Sequence, residues 1–203
     1  MAHALHPSTQ TADRPTPVGV LPDGTSLRVR PLQPGDRDTV LQRFHALSPA
    51  SRRARFLQPR DELTERDLRL LADDVDGEWH VAVVLEAVRT VRDARGVGTH
   101  TEVSGVGVAR YVRSSHQPSV ADVAFTIDDG WHGRGCGRRL VGALAEHARR
   151  AGVRVFSADV LDDNAASLRL LAGLGALSRV GNVDEILQVE VVLEDAEPTA
   201  LAA

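Results

Sequence analysis

Lysine is absent from this 203-residue chain, and all 24 basic residues are arginine. The ordinary source of such a bias is codon usage in a GC-rich genome, but it has one chemical consequence. A Walker A phosphate loop ends in Gly-Lys-Ser/Thr, so this sequence cannot contain one. Cysteine is nearly absent too: with Cys136 alone, an intrachain disulfide and a cysteine-rich zinc site are both excluded. The eight histidines show no H-x-x-x-H spacing, and no metal is expected. No apolar run approaches the ~20 residues of a membrane span. The first twenty residues lack the charged and apolar regions of a signal peptide, so a cytoplasmic protein is the expectation. A net charge of −4 gives no electrostatic reason to expect nucleic acid or an anionic membrane as partner.

What remains is an ordinary globular composition, 42% hydrophobic and 26% charged, at a length that suits one core. Residues 1–17 are polar and proline-bearing and read as a disordered tail, as does 194–203. The segment between, 18–193, reads as a single domain. "VGVLPDGTSLRVRPL" predicts two short strands about a Pro-Asp-Gly turn. Helices are expected over 34–47, 51–56 and 64–72, the last capped by Thr64. Val81–Leu85 is apolar almost without interruption and reads as a central strand buried on both faces. Residues 89–101 read as a polar hairpin loop. Strands follow over 103–112 and 120–127, then a helix to Ala151 that stops at Gly152. After it come a strand over 153–160, a helix over 164–174 ended by Gly175, and a closing hairpin, 178–183 with 186–193. Antiparallel strands, one strand–helix–strand crossover and closing strands describe one mixed sheet covered by helices.

The most informative stretch is "WHGRGCGRRLVGALAEHARRAG", residues 131–152. Glycine disfavours a helix start, so three of them there need a reason. Backbone N–H groups at a helix N-terminus lack partners and carry partial positive charge, which suits them to phosphate. Gly133, Gly135 and Gly137 would let a pyrophosphate approach, and Arg134, Arg138 and Arg139 would add cationic donors. The dinucleotide fingerprint G-x-G-x-x-G fails in both registers, its sixth position falling on Arg138 or Leu140.

The loop His132-Gly133-Arg134-Gly135-Cys136-Gly137 resembles motif A of the Gcn5-related N-acetyltransferases (GNAT), Gln/Arg-x-x-Gly-x-Gly/Ala, with histidine at the first position. Downstream, "DDNAASLRLLAGLGA" is similar to the Asn-x-x-Ala/Ser-x-x-Leu-Tyr-x-x-x-Gly-Phe segment of the same superfamily. Asn164, Ser167, Leu170 and Gly175 fit it, while Leu171 and Ala176 replace its tyrosine and phenylalanine. The segments "LPDGTSLRVRPLQPGDRDTVLQRFHALSPASRRARF" and "ADVAFTIDDGWHGRGCG" resemble, more narrowly, the catalytic domain of bacterial Pat-type protein lysine acetyltransferases. The resemblance covers about residues 26–193. It implies an α/β (α+β mixed) fold with a central mixed, mostly antiparallel sheet of six to seven strands and helices on both faces.

The resemblance also implies roles. The amides of Arg134, Gly135, Cys136, Gly137, Arg138 and Arg139 would hold the pyrophosphate of acetyl-CoA. The strand residues Phe125, Thr126 and Ile127 would run beside pantetheine, one of their N–H groups serving the oxyanion, and Asn164 would reach the coenzyme arm. Pat-type enzymes carry a glutamate general base where this chain has Asp122. Strand alternation places Asp122, Ala124 and Thr126 on the face opposite Val123, Phe125 and Ile127. Asp122 would then act as base, through a bridging water because its side chain is a methylene shorter, or else be a solvated or arginine-paired strand-end aspartate. The departing thiolate has no family tyrosine to protonate it, since Leu171 stands there, and Tyr111 lies on another strand.

Cys136, among arginines at a helix start, is expected to have a lowered pKa and serve as a nucleophile, or to fill the variable loop position with its side chain turned inward. His116 is a second candidate base or a loop residue. Arg52, Arg53 and Arg55 form a solvated face, or line an acceptor cleft and would then favour an acidic substrate surface. The expected activity is acetyl transfer from acetyl-CoA to a primary amine, a protein lysine first. A small-molecule amine, or coenzyme binding without catalysis, are the alternatives. The protein itself would be a monomer or a homodimer.

Overall fold

The computed structural model describes residues 14–93 and 98–194. Eight strands form one sheet in the order β1-β2-β3-β4-β5-β6-β8-β7. They are β1 (Thr16–Val20), β2 (Ser26–Pro31), β3 (His80–Arg92), β4 (Thr99–Arg113), β5 (Val120–Ile127), β6 (Val155–Leu161), β7 (Gly175–Val183) and β8 (Ile186–Leu193). The helices are α1 (Arg37–Ala46), α2 (Pro49–Phe56), α3 (Glu65–Leu68), α4 (Cys136–Arg150) and α5 (Ala165–Ala172), with α3 running into a π-helical turn at Arg69–Asp73. The eight strands exceed the six to seven that the family likeness implies, because the N-terminal hairpin adds β1 to the edge of β2. Strand β1 begins at Thr16, so the last two residues of the expected 1–17 tail are sheet. Residues 1–13 of that tail, and all of the expected C-terminal tail beyond Glu194, lie outside the described residues.

Other boundaries moved as well. The expected loop over 89–101 is mostly strand: β3 and β4 stay paired out to Arg92 and Thr99, and 94–97 lie outside the described residues. Cross-strand pairs of threonine and valine sustain that polar ribbon without a core beneath it. The helix expected over 164–174 is shorter, since Asn164 is its cap and Gly175 opens β7 with φ 153°. A Cβ on Gly175 would stand 2.0 Å from the Val192 carbonyl oxygen, so the strand pairing there admits only glycine. Gly152 ends α4 in the left-handed region, as the sequence indicates (φ 86°).

All strand pairs are antiparallel except β5 with β6. That parallel pair is joined by α4 and holds only over Val120–Asp122 against Val155–Ser157. Beyond Asp122 the two strands part, and the last five residues of β5 have no strand on their β6 side. A bulge at Val106 bends β4 beside them: Leu85 pairs Gly107 while Glu86 pairs Gly105. The Asp128 amide donates to the freed Val106 carbonyl at 3.0 Å.

The sheet divides its residues unequally. One face, carrying Val83, Leu85, Ala109, Tyr111 and Val123, packs on Leu140 and Leu144 of α4 and on Leu171 of α5 as the main core. The other face, under α1–α3, has a small apolar cluster at Leu32, Ala72, Ala82 and Val84. Around that cluster it carries Glu86 and Arg110, both buried. Polar groups beneath helices leave space instead of dry packing, and a cavity lies there. Among the described residues no helix is long and apolar enough to cross a membrane.

Candidate active site

The splayed strands open a groove of about 850 Å³ between β5, the start of α4, α2 and α5. Phe125, Thr126 and Ile127 form one wall, with Gly135, Cys136, Gly137 and Arg138 at one end and Asn164 across from them. Gly135 is the N-cap of α4 in the left-handed region (φ 76°) and brings no side chain to the cap. The first bond of the helix runs from the Arg139 amide to the Gly135 carbonyl at 3.4 Å, so the amides before it are left for an anion. No acidic residue occupies this first turn to compete for them. Gly133, also left-handed (φ 70°), faces open space where a Cβ would stand. These features fit a pyrophosphate.

The glycines do not share one role. A Cβ on Gly137 would lie 2.9 Å from Leu170 Cδ1, so this glycine admits close packing of α4 on α5. The arginines divide too. Arg138 faces the groove. Arg134 pairs with Asp23 and lies 4.6 Å from the Trp131 ring centroid, and the Arg139 side chain lies against Gly135 and Gly19. Neither of those two side chains turns to the groove, and the Arg139 amide is spent on the Gly135 carbonyl. His132, where the family has Gln/Arg, ties the loop to the end of β5: its Nε2 sits 2.9 Å from the Ile127 carbonyl. Cys136 is fully buried, and burial pushes its thiol up, overriding Arg134 and Arg139. The expected lowered pKa therefore does not hold, and the inward packing alternative does.

A second cavity, of about 580 Å³, lies on the α1–α3 face, floored by Val84, Glu86, Gly107, Arg110, Ala124 and Thr126. The two cavities share Arg55 and Thr126, where they meet. Most charges in the second cavity are matched. Arg30 holds Glu86 at 2.7 Å and Asp36 at 2.6 Å; Arg43 holds Asp128 at 2.8 Å. Burial nevertheless raises the Asp128 pKa, with Arg43 opposing. The adjacent Asp129 fixes the start of α2, accepting from the Ser48 amide at 2.7 Å and from the Ser51 hydroxyl at 2.5 Å. Arg53, on α2, pairs with Glu185 and lies 3.6 Å from Asp163, reaching over the groove.

Asp122 stands at the last paired position before β5 and β6 diverge, on the same face as Ala124 and Thr126. It lines neither cavity wall. Its side chain is open to solvent, yet the protein around it takes away part of its hydration. That desolvation and the neighbouring Asp159 push its pKa up to about 6, against the pull of Arg55. Leu171, at the family tyrosine position, is fully buried in the core. Tyr111 is fully buried on the α4 side, its hydroxyl 3.1 Å from His147 Nδ1, with the sheet between it and the second cavity. His116 is exposed in the loop before β5.

Sequence reasoning missed Glu86, Asp128 and Asp129. The Asp-Asp pair closing the "TIDDG" segment is the one signal that could have flagged two of them; Glu86 sits in an apolar run and had none. Arg55 was expected as one of three arginines that form a solvated face or line an acceptor cleft, with nothing to single it out.

The Acetyltransferase (GNAT) domain family matches residues 26–177. The chain is similar to the Pat acetyltransferase of Mycolicibacterium smegmatis, 46% identical over 69 residues, which is 34% of this chain and 21% of that protein. It therefore matches about a fifth of that relative's length. A Pseudomonas aeruginosa acetyltransferase is 31% identical over 140 residues, 68% of this chain and 69% of that one. The crystal structure of the GNAT domain of S. lividans PAT superposes with a TM-score of 0.71 at 25% identity, covering 88% of this chain and 97% of that domain. A phosphate-ready helix start beside a strand that parts from its neighbour is thus accompanied by family-wide similarity, and the chain belongs to the GNAT acetyltransferase domain family, whose members are acetyl-CoA-dependent acyltransferases.

Proposed function

We propose that this chain transfers the acetyl group of acetyl-CoA to a primary amine, with a protein lysine side chain as the first candidate acceptor. The observation that carries the reading is the meeting of two cavities at Thr126, one ending at an uncapped helix start and the other opening on the α1–α3 face. The coenzyme's pyrophosphate lies on the amides of 134–138, the Arg139 amide being already bonded to Gly135, with Arg138 as a cationic donor. Its pantetheine arm pairs with Phe125–Ile127 on the side β6 has vacated, and Asn164 reaches the arm across the groove. Asn164 Oδ1 already accepts from the Ser167 amide at 3.0 Å, so the amide NH₂ is the group left for the coenzyme.

The acceptor enters from the second cavity. Its ammonium, with a pKa of about 10.4, must lose a proton before attack. Asp122, in its carboxylate form above about pH 6, takes that proton through water. The neutral nitrogen attacks the thioester carbonyl, a β5 amide stabilises the oxyanion, and collapse expels the thiolate. A thiol pKa of about 8.5 makes the thiolate a competent leaving group without the family tyrosine. The Pat likeness supports the protein acceptor. The enclosure of the second cavity by α1 and α2 supports a small-molecule amine as the second reading.

The test is labelled acetyl-CoA with the purified protein and a lysate of its own host, split into macromolecular and small-molecule fractions. With no lysine in the chain, self-labelling of side-chain amines cannot contaminate the protein fraction. Enzyme-dependent label in protein supports the first reading, label confined to small molecules the second. Coenzyme binding with no transfer to either fraction overturns both and leaves a coenzyme-binding module.

A further inference from the structure

Four arginines line the second cavity, and they are not equivalent. Arg30 and Arg43 are each matched by carboxylates at ion-pair distance. Arg110, buried in the sheet, donates to the Leu70 and Leu71 carbonyls at 2.8 and 2.6 Å and lies 3.1 Å from His80 Nε2. Those neutral acceptors satisfy its N–H groups and leave its charge in place. Arg55 has no hydrogen bond or ion pair within the described residues; its guanidinium lies over the Phe56 ring at 5.1 Å and feels the more distant charges of Asp122, Arg60 and Arg110. It is also the one charged side chain common to both cavities. Two guanidinium charges therefore share one recess, both without a carboxylate in contact, at the point where acceptor and donor must meet.

Such a pair is costly to keep apart from counter-charge, because burying a cation without a matching anion loses hydration that nothing returns. Burial accordingly depresses both groups, Arg110 to about 9, and the charge of Arg55 adds repulsion at Arg110. A planar guanidinium with free donors is suited to the two oxygens of a carboxylate, which it binds in a fork. A phosphate would fit the chemistry less well here: Asp36, Glu86 and Asp128 already line the cavity beside its four arginines, so a single negative charge balances the excess.

Resting on the acyl-transfer reading above, we infer that Arg55, backed by Arg110, binds a carboxylate of the acceptor close to the amine that is acetylated. The carboxylate is that of a free amino acid, or of an acidic side chain flanking a lysine in a protein; the chemistry at Arg55 is the same. It narrows the acceptor-cleft reading of this helix, with its acidic substrate, to Arg55 as the residue that sets specificity.

The experiment compares matched acceptors that differ only in that group. One arm uses glutamate against glutamate α-amide and against the corresponding decarboxylated amine. The other uses lysine tetrapeptides flanked by aspartate or by asparagine. Charge-assisted hydrogen bonds of this kind are expected to lower KM about tenfold to a hundredfold for the acid in at least one arm, and the arm that responds identifies the source. Arg55→Met should bring the acid-to-neutral ratio of kcat/KM to near one while acetyl-CoA KM is little changed, and Arg55→Lys should recover part of the ratio. Circular dichroism melting checks that both variants fold.

Equal use of acid and neutral acceptors by the wild-type protein overturns the inference while leaving acyl transfer standing. A ratio unchanged by Arg55→Met overturns the assignment to Arg55. If no amine is acetylated, acyl transfer itself falls; calorimetry of the coenzyme A complex with the same acids and neutral partners then reads Arg55 directly, and equal binding of the two overturns the carboxylate site as well.

Discussion

The role given to Asp122 makes a prediction about the shape of a pH profile, which is a sharper test than loss of activity. With a base of pKa about 6, log kcat/KM for an amine acceptor rises with unit slope up to pH 6 and then levels. It stays level because the amine binds as ammonium and delivers its proton to Asp122. In Asp122→Asn that route is gone, and the acceptor must arrive neutral. At pH 7 only about one lysine-type amine in 2,500 is neutral, given a pKa of about 10.4. The variant's kcat/KM is therefore expected to fall by about 10² to 10³ at pH 7, inside the usual range for general-base catalysis. The gap should then close by about tenfold per pH unit, because the neutral amine fraction grows while the wild-type rate stays flat. The assay is steady-state release of coenzyme A thiol at fixed saturating acetyl-CoA from about pH 5 to 9.5. Parallel profiles for the two proteins would refute the base role, leaving Asp122 a partly desolvated strand-end aspartate. A wild-type inflection at about pH 4, the ordinary aspartate value, would refute the environment instead, since burial and Asp159 are what raise the group.

Three further outcomes follow from individual contacts. Gly175→Ala should destabilise the fold by about 3 kcal/mol or more in urea titration, as its Cβ would meet the Val192 carbonyl oxygen at 2.0 Å. Leu171→Tyr, which restores the family residue, should lower stability by about 1–3 kcal/mol because the site is fully buried and packed, and should not raise kcat. His132→Ala removes the bond that ties the glycine loop to the Ile127 carbonyl, worth about 1 kcal/mol, and should raise acetyl-CoA KM several-fold with kcat much less affected. A large kcat loss in that variant would give His132 a part in the chemistry.

The sequence by itself determined the glycine-rich turn, the crossover that carries it and the order of elements around it. These are local matters: glycines at 133, 135 and 137, a strand alternating to Ile127 and an amphipathic helix after it leave the backbone few alternatives. It also placed Asp122 on the face away from the main core, since alternation is a property of the strand alone. Only the tertiary structure decided which of the three glycines faces open space and which packs on Leu170, because that depends on how α4 meets α5. It decided that Cys136 is a buried thiol and not an activated one, since burial and nearby arginines push in opposite directions and sequence gives no measure of depth. It alone separated Arg55 from Arg53 and Arg52. The three share one short helix, yet Arg53 finds Glu185 132 residues away, Arg52 turns to Asp61 and the Phe44 ring, and Arg55 points into the recess between two cavities. Partners that distant in the chain meet only when the sheet has closed, and a basic run carries no record of which of its charges will be left unmatched.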